Sequence, residues 1–227
     1  LDVVITSNPD AILTMRGAES VRVIENLLSS DNNLMMNTSR PPFDDIRVRQ
    51  ALTYATDRDG FSALIAQGTS PMADSMFHPD LIWSNPDVVQ EGNTPELARP
   101  LVDDYCADVP DNCTDGKIKM EYQFVEGSVL NQRIAELLDK GWSVAFDVTF
   151  DLKPQQGHIQ DAALGFYNAV AWRQFGSLRP EGDNVWVMCR TIGFISLNWP
   201  KYCDEDRDAL LWEATATRDE SIRTPLF

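Results

Sequence analysis

The sequence predicts an α/β fold, and three observations carry that expectation. Stretches such as "KIKMEYQFV" and "YNAVAWRQF" alternate or run apolar, and between them lie stretches whose apolar residues recur at helical spacing. Apolar residues make up 43% of the 227, an ordinary globular content that is ample for a hydrophobic core. No run of about 18 apolar residues occurs, so no segment is expected to insert in a membrane as a helix.

In chain order, residues 2–6 read as a strand, and "NPDAILTMRG" as a short helix with Asn8 at its start, Pro9 in its first position and Gly17 at its end. "VRVIEN" and "NNLMMNTS" read as further strands. Pro41 and Pro42 then hold the chain extended, since the residue before a proline avoids the helical region. Asp44 or Asp45 can cap the helix that follows, in which Val48, Leu52 and Ala55 form a buried stripe with Arg47 and Arg49 off it. Asp57 can start a second helix carrying Phe61, Leu64 and Ile65 inward. Residues 68–93, with Pro71, Pro79 and Pro86, are expected to be irregular. Thr94 and Pro95 open a helix buried through Leu97, Leu101 and Tyr105, with Pro100 costing it a hydrogen bond. "KIKMEYQFV" is a strand, and Ser128 caps a helix with Leu130, Ile134, Leu137 and Leu138 on one face. "FDVTFDL" is a strand, "HIQDAALG" a short helix and "YNAVAWRQF" a strand. A helix from Asp204 through Ala214 and a turn near Ile222 finish the chain. The expected core draws on Leu52, Leu64, Ile134, Leu137, Val170 and Leu210.

The formal charge of −16 excludes a nucleic-acid partner, because the phosphate backbone needs clustered lysine and arginine. The four cysteines fall into two local pairs, Cys106 with Cys113 and Cys189 with Cys203, which fit the disulfides of a secreted protein. Reduced cysteines are the alternative. Zinc fits poorly, since no CxxC occurs and the two histidines, His78 and His158, are far off in sequence. Leu1 follows no basic leader or apolar signal core, so an export signal is expected to have been removed or to lie elsewhere.

Catalytic signals are sparse. There is no GxSxG, P-loop or GxGxxG, and the paired carboxylates Asp44/Asp45, Asp103/Asp104 and Asp204 to Asp208 suit helix caps and solvated faces. No cofactor or metal is expected, and a secreted hydrolase ranks third among functions. "AWRQFGSLRPEGDNVW", residues 171–186, is the better candidate. An apolar strand there ends in Trp172, Arg173, Gln174 and Phe175 before a Gly- and Pro-containing loop, and ligands of α/β sheets sit beyond the carboxyl ends of strands. The competing reading makes Trp172 and Phe175 core and Arg173 a surface charge.

"NTSRPPFDDIRVRQALTYATDRD", residues 37–59, closely resembles a conserved block of the family 5 extracellular solute-binding proteins, the oligopeptide-, dipeptide- and nickel-binding components of ABC importers. The resemblance continues through "RIAELLDKGW", "AVAWRQFG" and "YCDEDRDALLWEATATRDESIR". It implies one lobe of a two-lobe periplasmic-binding-protein-like fold (type II, cluster C-like). This is the second lobe, with the N-terminal lobe and the C-terminal closing segment lying outside residues 1–227. It implies a periplasmic or extracellular protein, lipid-anchored through a segment before this one, that delivers a small polar or peptide-like solute to an ABC permease. It also supports the Cys189–Cys203 bridge. The family's ligand loop falls on Ala171, Trp172, Arg173, Gln174 and Phe175, with Asn37 near the cleft side. Peptide-binding members carry an aspartate at about Phe175, so the anchor for a peptide amine is missing and Arg173 favours an acidic or carbonyl-bearing group. The alternative function is a non-transport ligand-sensing or protein-interaction module.

Overall fold

The computed structural model describes residues 3–25, 30–175 and 179–227, without the side chains of residues 30, 31, 174 and 175. The N-terminal stretch 3–8 has no regular structure, and helix α1 (Pro9–Arg16) follows, with the Asn8 side chain accepting from the Ala11 N–H and Gly17 closing it. Strand β1 (Ser30–Met36) leads through a turn to α2 (Ile46–Ala55), capped by Asp45, whose carboxylate accepts from the Arg47 N–H. Asp57 caps the short α3 (Arg58–Phe61), which runs into a π-helical turn over Ser62–Ala66. After an irregular stretch come α4 (Pro95–Asp108), β2 (Cys113–Thr114), β3 (Lys117–Val125) and α5 (Val129–Trp142). Then follow β4 (Phe146–Lys153), α6 (Gln155–Leu164), β5 (Ala169–Phe175), α7 (Asn184–Val187), α8 (Glu205–Ala216) and α9 (Glu220–Arg223).

Strand β3 is the middle of the sheet. It pairs in parallel with β4 from Ile118↔Phe146 to Val125↔Lys153 and with β5 at Tyr122 and Gln123, while β1 lies antiparallel to β5 from Ser30↔Phe175 to Met36↔Ala169. The period-2 alternation of strand side chains divides the interior in two. Ile118, Met120, Tyr122 and Phe124 of β3, with Ala169 of β5 and Leu34 and Met36 of β1, meet α2, α4 and α5 in the main core. On the opposite face Val170 and Trp172 of β5 and Met35 of β1 meet Ala162 of α6, Tyr167 and Trp199 in a smaller cluster. Gly141 lets α5 approach α2 closely, because a Cβ there would stand 2.8 Å from the Ala55 carbonyl oxygen.

The α/β class holds, and several local expectations change. Residues 3–6 and 21–25 are not strands, since no described strand runs beside them; Asp2 and Asn26 lie outside the described residues. Pro41 and Pro42 sit in a turn with a cis bond between them, where an extended run was expected. Leu64 is exposed because the π-helical turn, with its wider i→i+5 bonding, advances by less per residue than an α-helix and carries Leu64 off the expected stripe. Leu97, Leu130 and Leu210 are also exposed, while Ile134 and Leu137 are half-buried. In α4 and α5 the deepest positions are taken by Ala98, Val102, Tyr105, Ala135, Leu138 and Trp142. The irregular stretch 68–93 is tied down at Trp83, over which the Arg223 guanidinium lies at 5.0 Å while also pairing with Glu181.

Cys106 is bonded to Cys113 and Cys189 to Cys203, with sequence separations of 7 and 14. Loops this short restrict the unfolded chain, and removing either bridge by paired alanine substitution is expected to cost about 2–3 kcal/mol. Denaturant midpoints of the two double mutants measure it; an unchanged midpoint would mean the bridge does not constrain the unfolded state.

Candidate functional site

Strand β5 carries the residues expected to meet a ligand, and its pleat separates them. Trp172 stands on the α6 face, where its indole stacks on the His158 ring (centroids 5.4 Å apart, planes at 7°) and meets Trp199 edge-on at 4.4 Å. Trp199 in turn packs on Trp186 at 5.2 Å. Arg173, one residue on, belongs to the other face by alternation; it is exposed, and its Nη1 donates to the Ser7 hydroxyl at 3.0 Å. Trp172 and Arg173 therefore do not form one mixed wall, which corrects the sequence expectation. The expectation overlooked that neighbouring strand residues point apart. Ala171 pairs with Leu34 and packs on the main core. Gln174 and Phe175 pair through the backbone with Asp31 and Ser30, and their side chains lie outside the described residues, so the missing amine anchor at Phe175 has no structural test.

Asn37 is fully buried and is a latch rather than an open contact. Its Nδ2 donates to the carbonyls of Gly165 (2.9 Å) and Tyr167 (3.1 Å), and its Oδ1 accepts from the backbone N–H and hydroxyl of Ser39. Every hydrogen-bonding position of the amide is used, so the side chain is held by the fold although its neighbours Met36 and Thr38 line the adjoining cavity. Asn37→Ala is expected to cost about 2 kcal/mol, because it leaves buried carbonyls and an N–H unpaired. Equilibrium unfolding would measure that; a loss below 0.5 kcal/mol, within the scatter of ordinary surface substitutions of about that size, would show that water replaces the amide.

The space beside this aromatic chain is a cavity of about 740 Å³. It runs along Asn33–Met36 of β1, whose far edge pairs with no described strand, and is walled by α2 and the segment 183–202. Trp186 and Trp199 line it together with Tyr54, Tyr202, Arg49 and Glu91. Arg49 donates to the carbonyls of Phe43 and Asp44 and lies 6.0 Å from the Tyr202 ring. The sequence reading passed over Trp199, Tyr54 and Tyr202. The available signal was aromatic density: Trp172, Trp186, Trp199 and Tyr202 follow one another along the chain, the last two inside the loop closed by Cys189–Cys203.

Several of the paired carboxylates serve as helix caps and ion-pair partners. Asp45 caps α2 and holds Arg47, and the Arg47 hydrogen bond keeps its carboxyl below the usual range. Asp103 pairs with Arg99, Asp204 caps α8, and Asp208 accepts from the Cys189 N–H at 2.8 Å. Among the described residues no group of three or more His, Cys, Asp or Glu side chains could hold a metal. Burial pushes His158 below the ordinary imidazole value, against the opposing pull of the Ala171 carbonyl, Asp161 and Asp151.

Comparison with known proteins gives a consistent result. Residues 1–189 match the family described as bacterial extracellular solute-binding proteins, family 5 Middle. The dipeptide-binding protein of Escherichia coli (strain K12) is 23% identical over 223 residues, covering 97% of this chain and 41% of that protein. Heme-binding protein A of Haemophilus influenzae is 30% identical over 236 residues, covering 100% of this chain and 41% of that one. Among solved structures, the ABC transporter-associated periplasmic binding protein DppA from Helicobacter pylori, in complex with the peptide STSA, superposes with a TM-score of 0.81 at 18% identity. It covers 96% of this chain and 42% of its own. HbpA2 from Haemophilus parasuis gives 0.80 at 21% identity, covering 99% and 44%. These likenesses show the periplasmic-binding-protein fold, and this chain spans less than half the length of each relative. The chain belongs to the family 5 bacterial extracellular solute-binding proteins.

Proposed function

We infer that these residues form the second lobe of an extracytoplasmic receptor that captures a small solute between two lobes and delivers it to an ABC permease, without catalysing a reaction. The family match over residues 1–189 carries this reading. Relatives in that family are named for binding dipeptides, heme and nickel, and none of those names describes an enzyme. Binding energy in such a receptor goes into lobe closure, and the closed form is what the permease recognises. Trp186 and Trp199 supply an aromatic wall, with Trp172 packed edge-on behind Trp199, and Arg49 at the same cavity supplies a cation. That combination suits a solute with an apolar or planar body and an acidic or carbonyl group. Among the described residues no helix is long and apolar enough to cross a membrane.

The test is mass-spectrometric identification of what co-purifies with the protein, followed by calorimetry with the identified compound. A bound small solute whose affinity falls on Trp172→Ala supports the reading. Recovery of the protein tightly bound to another polypeptide and to no small molecule would favour an interaction module instead.

A further inference from the structure

We propose that His158 is a positioning residue of the solute site, fixing the Trp172 indole from beneath and making its placement depend on the charge of the imidazole. The inference rests on the reading that the solute occupies the cavity walled by Trp199, against which the Trp172 indole packs. His158 lies on α6 and is only 4% exposed. Its Nε2 stands 2.9 Å from the Ala171 carbonyl oxygen, and its Nδ1 stands 3.3 Å from Gln123 Nε2. A carbonyl only accepts, so Nε2 carries the proton and Nδ1 accepts from the Gln123 amide: the neutral ring is the one that fits both strands. The same ring lies parallel beneath the Trp172 indole. One side chain thus links β3, the backbone of β5 and the face of the tryptophan.

Protonation would turn Nδ1 into a donor facing the NH₂ of Gln123. Gln123 is fully buried, and its Oε1 has no partner, so the amide would have to turn and present that oxygen. The charge would sit directly against the indole. The charged groups around this contact are Asp161 on α6, Asp151 and Lys153 on β4, and Glu121 on β3; Lys153 Nζ lies 3.2 Å from Asp151 and 3.4 Å from Asp161. At this contact β5 contributes the indole and the Ala171 carbonyl. The two aspartates favour the charged ring, but burial opposes it more strongly, so the ring is neutral at pH 7 and charges only below histidine's ordinary value of about 6.5.

The experiment is ¹⁹F NMR of the protein labelled with 5-fluorotryptophan, with the Trp172 signal assigned by its loss in Trp172→Phe. The Trp172 resonance is expected to titrate with a midpoint below histidine's ordinary value of about 6.5. The titration should vanish in both His158→Gln, which keeps an N–H for Ala171, and His158→Phe, which keeps the stacked ring. The other tryptophan signals report whether each variant is folded. A Trp172 resonance that does not move with pH, or one that titrates unchanged in either folded variant, overturns the proposal. The readout needs no solute, so its failure counts against His158 alone, whereas absence of any bound solute counts against the receptor reading.

Discussion

Trp142→Ala is expected to destabilise the fold by about 3–5 kcal/mol, the range for emptying a buried aromatic site. The ring is fully buried at the end of α5, meets Tyr122 of the central strand edge-on at 5.2 Å, and donates from Nε1 to the Thr56 hydroxyl at 2.9 Å. Thr56 directly follows α2, and at Gly141, beside Trp142, α5 comes close to the end of α2. The indole therefore closes the joint between two helices and the sheet. Its removal leaves a cavity that backbone contact at Gly141 prevents from collapsing. Against a typical total of about 5–15 kcal/mol, this is a large share. Trp142→Phe keeps most of the contact with Tyr122 and loses the N–H, so about 1–2 kcal/mol is expected, the scale of one buried hydrogen bond. Denaturant unfolding of both variants measures the pair. A loss for alanine no greater than for phenylalanine would show that the joint does not depend on this ring.

The second large effect concerns binding. If these residues are one lobe of a two-lobe receptor, the chain alone should fold and yet bind its solute about a thousandfold more weakly than the longer protein. A receptor cleft buries most of its ligand only when both lobes supply walls. Losing half the contacts of a micromolar site takes about −8 kcal/mol to about −4, which is millimolar. The fold should survive, because the main core is complete without any further wall: Phe43, Val48, Leu52, Tyr105, Tyr122 and Trp142 are each 2% exposed or less. Calorimetry on both proteins with the same co-purified solute decides the matter. Micromolar binding by these residues alone would place the whole site within them and end the two-lobe reading.

Local chemistry was legible where it acts over a few residues. Asn8, Asp57, Ser128 and Asp204 cap the helices that the sequence starts at them, and Asp45, one of two candidates, caps α2, because a short polar side chain beside an apolar-periodic run finds its N–H partners two or three residues away. The buried stripe of α2 and the strand character of β3 and β5 were equally plain. The candidate site was legible only in part. "AVAWRQF" marked the right strand, but a run of letters does not show that Trp172 and Arg173 face opposite ways in a pleated sheet already covered on both sides. Asn37 was singled out by its motif, and only the fold shows that two carbonyls 128 and 130 residues away occupy its amide.

The sequence by itself determined the α/β class, the helix starts, the pairing of neighbouring cysteines and the family resemblance, all of which depend on residues close together in the chain or on one contiguous block. Tertiary structure alone decided which apolar side chains lie inside, why Leu64, Leu97 and Leu210 do not, and how Trp172, Trp186, Trp199 and His158 come to share one aromatic stack. Those outcomes depend on which face of each element meets a neighbour. That is a matter of strand order and of helix turn geometry, and it is settled only when the elements pack together.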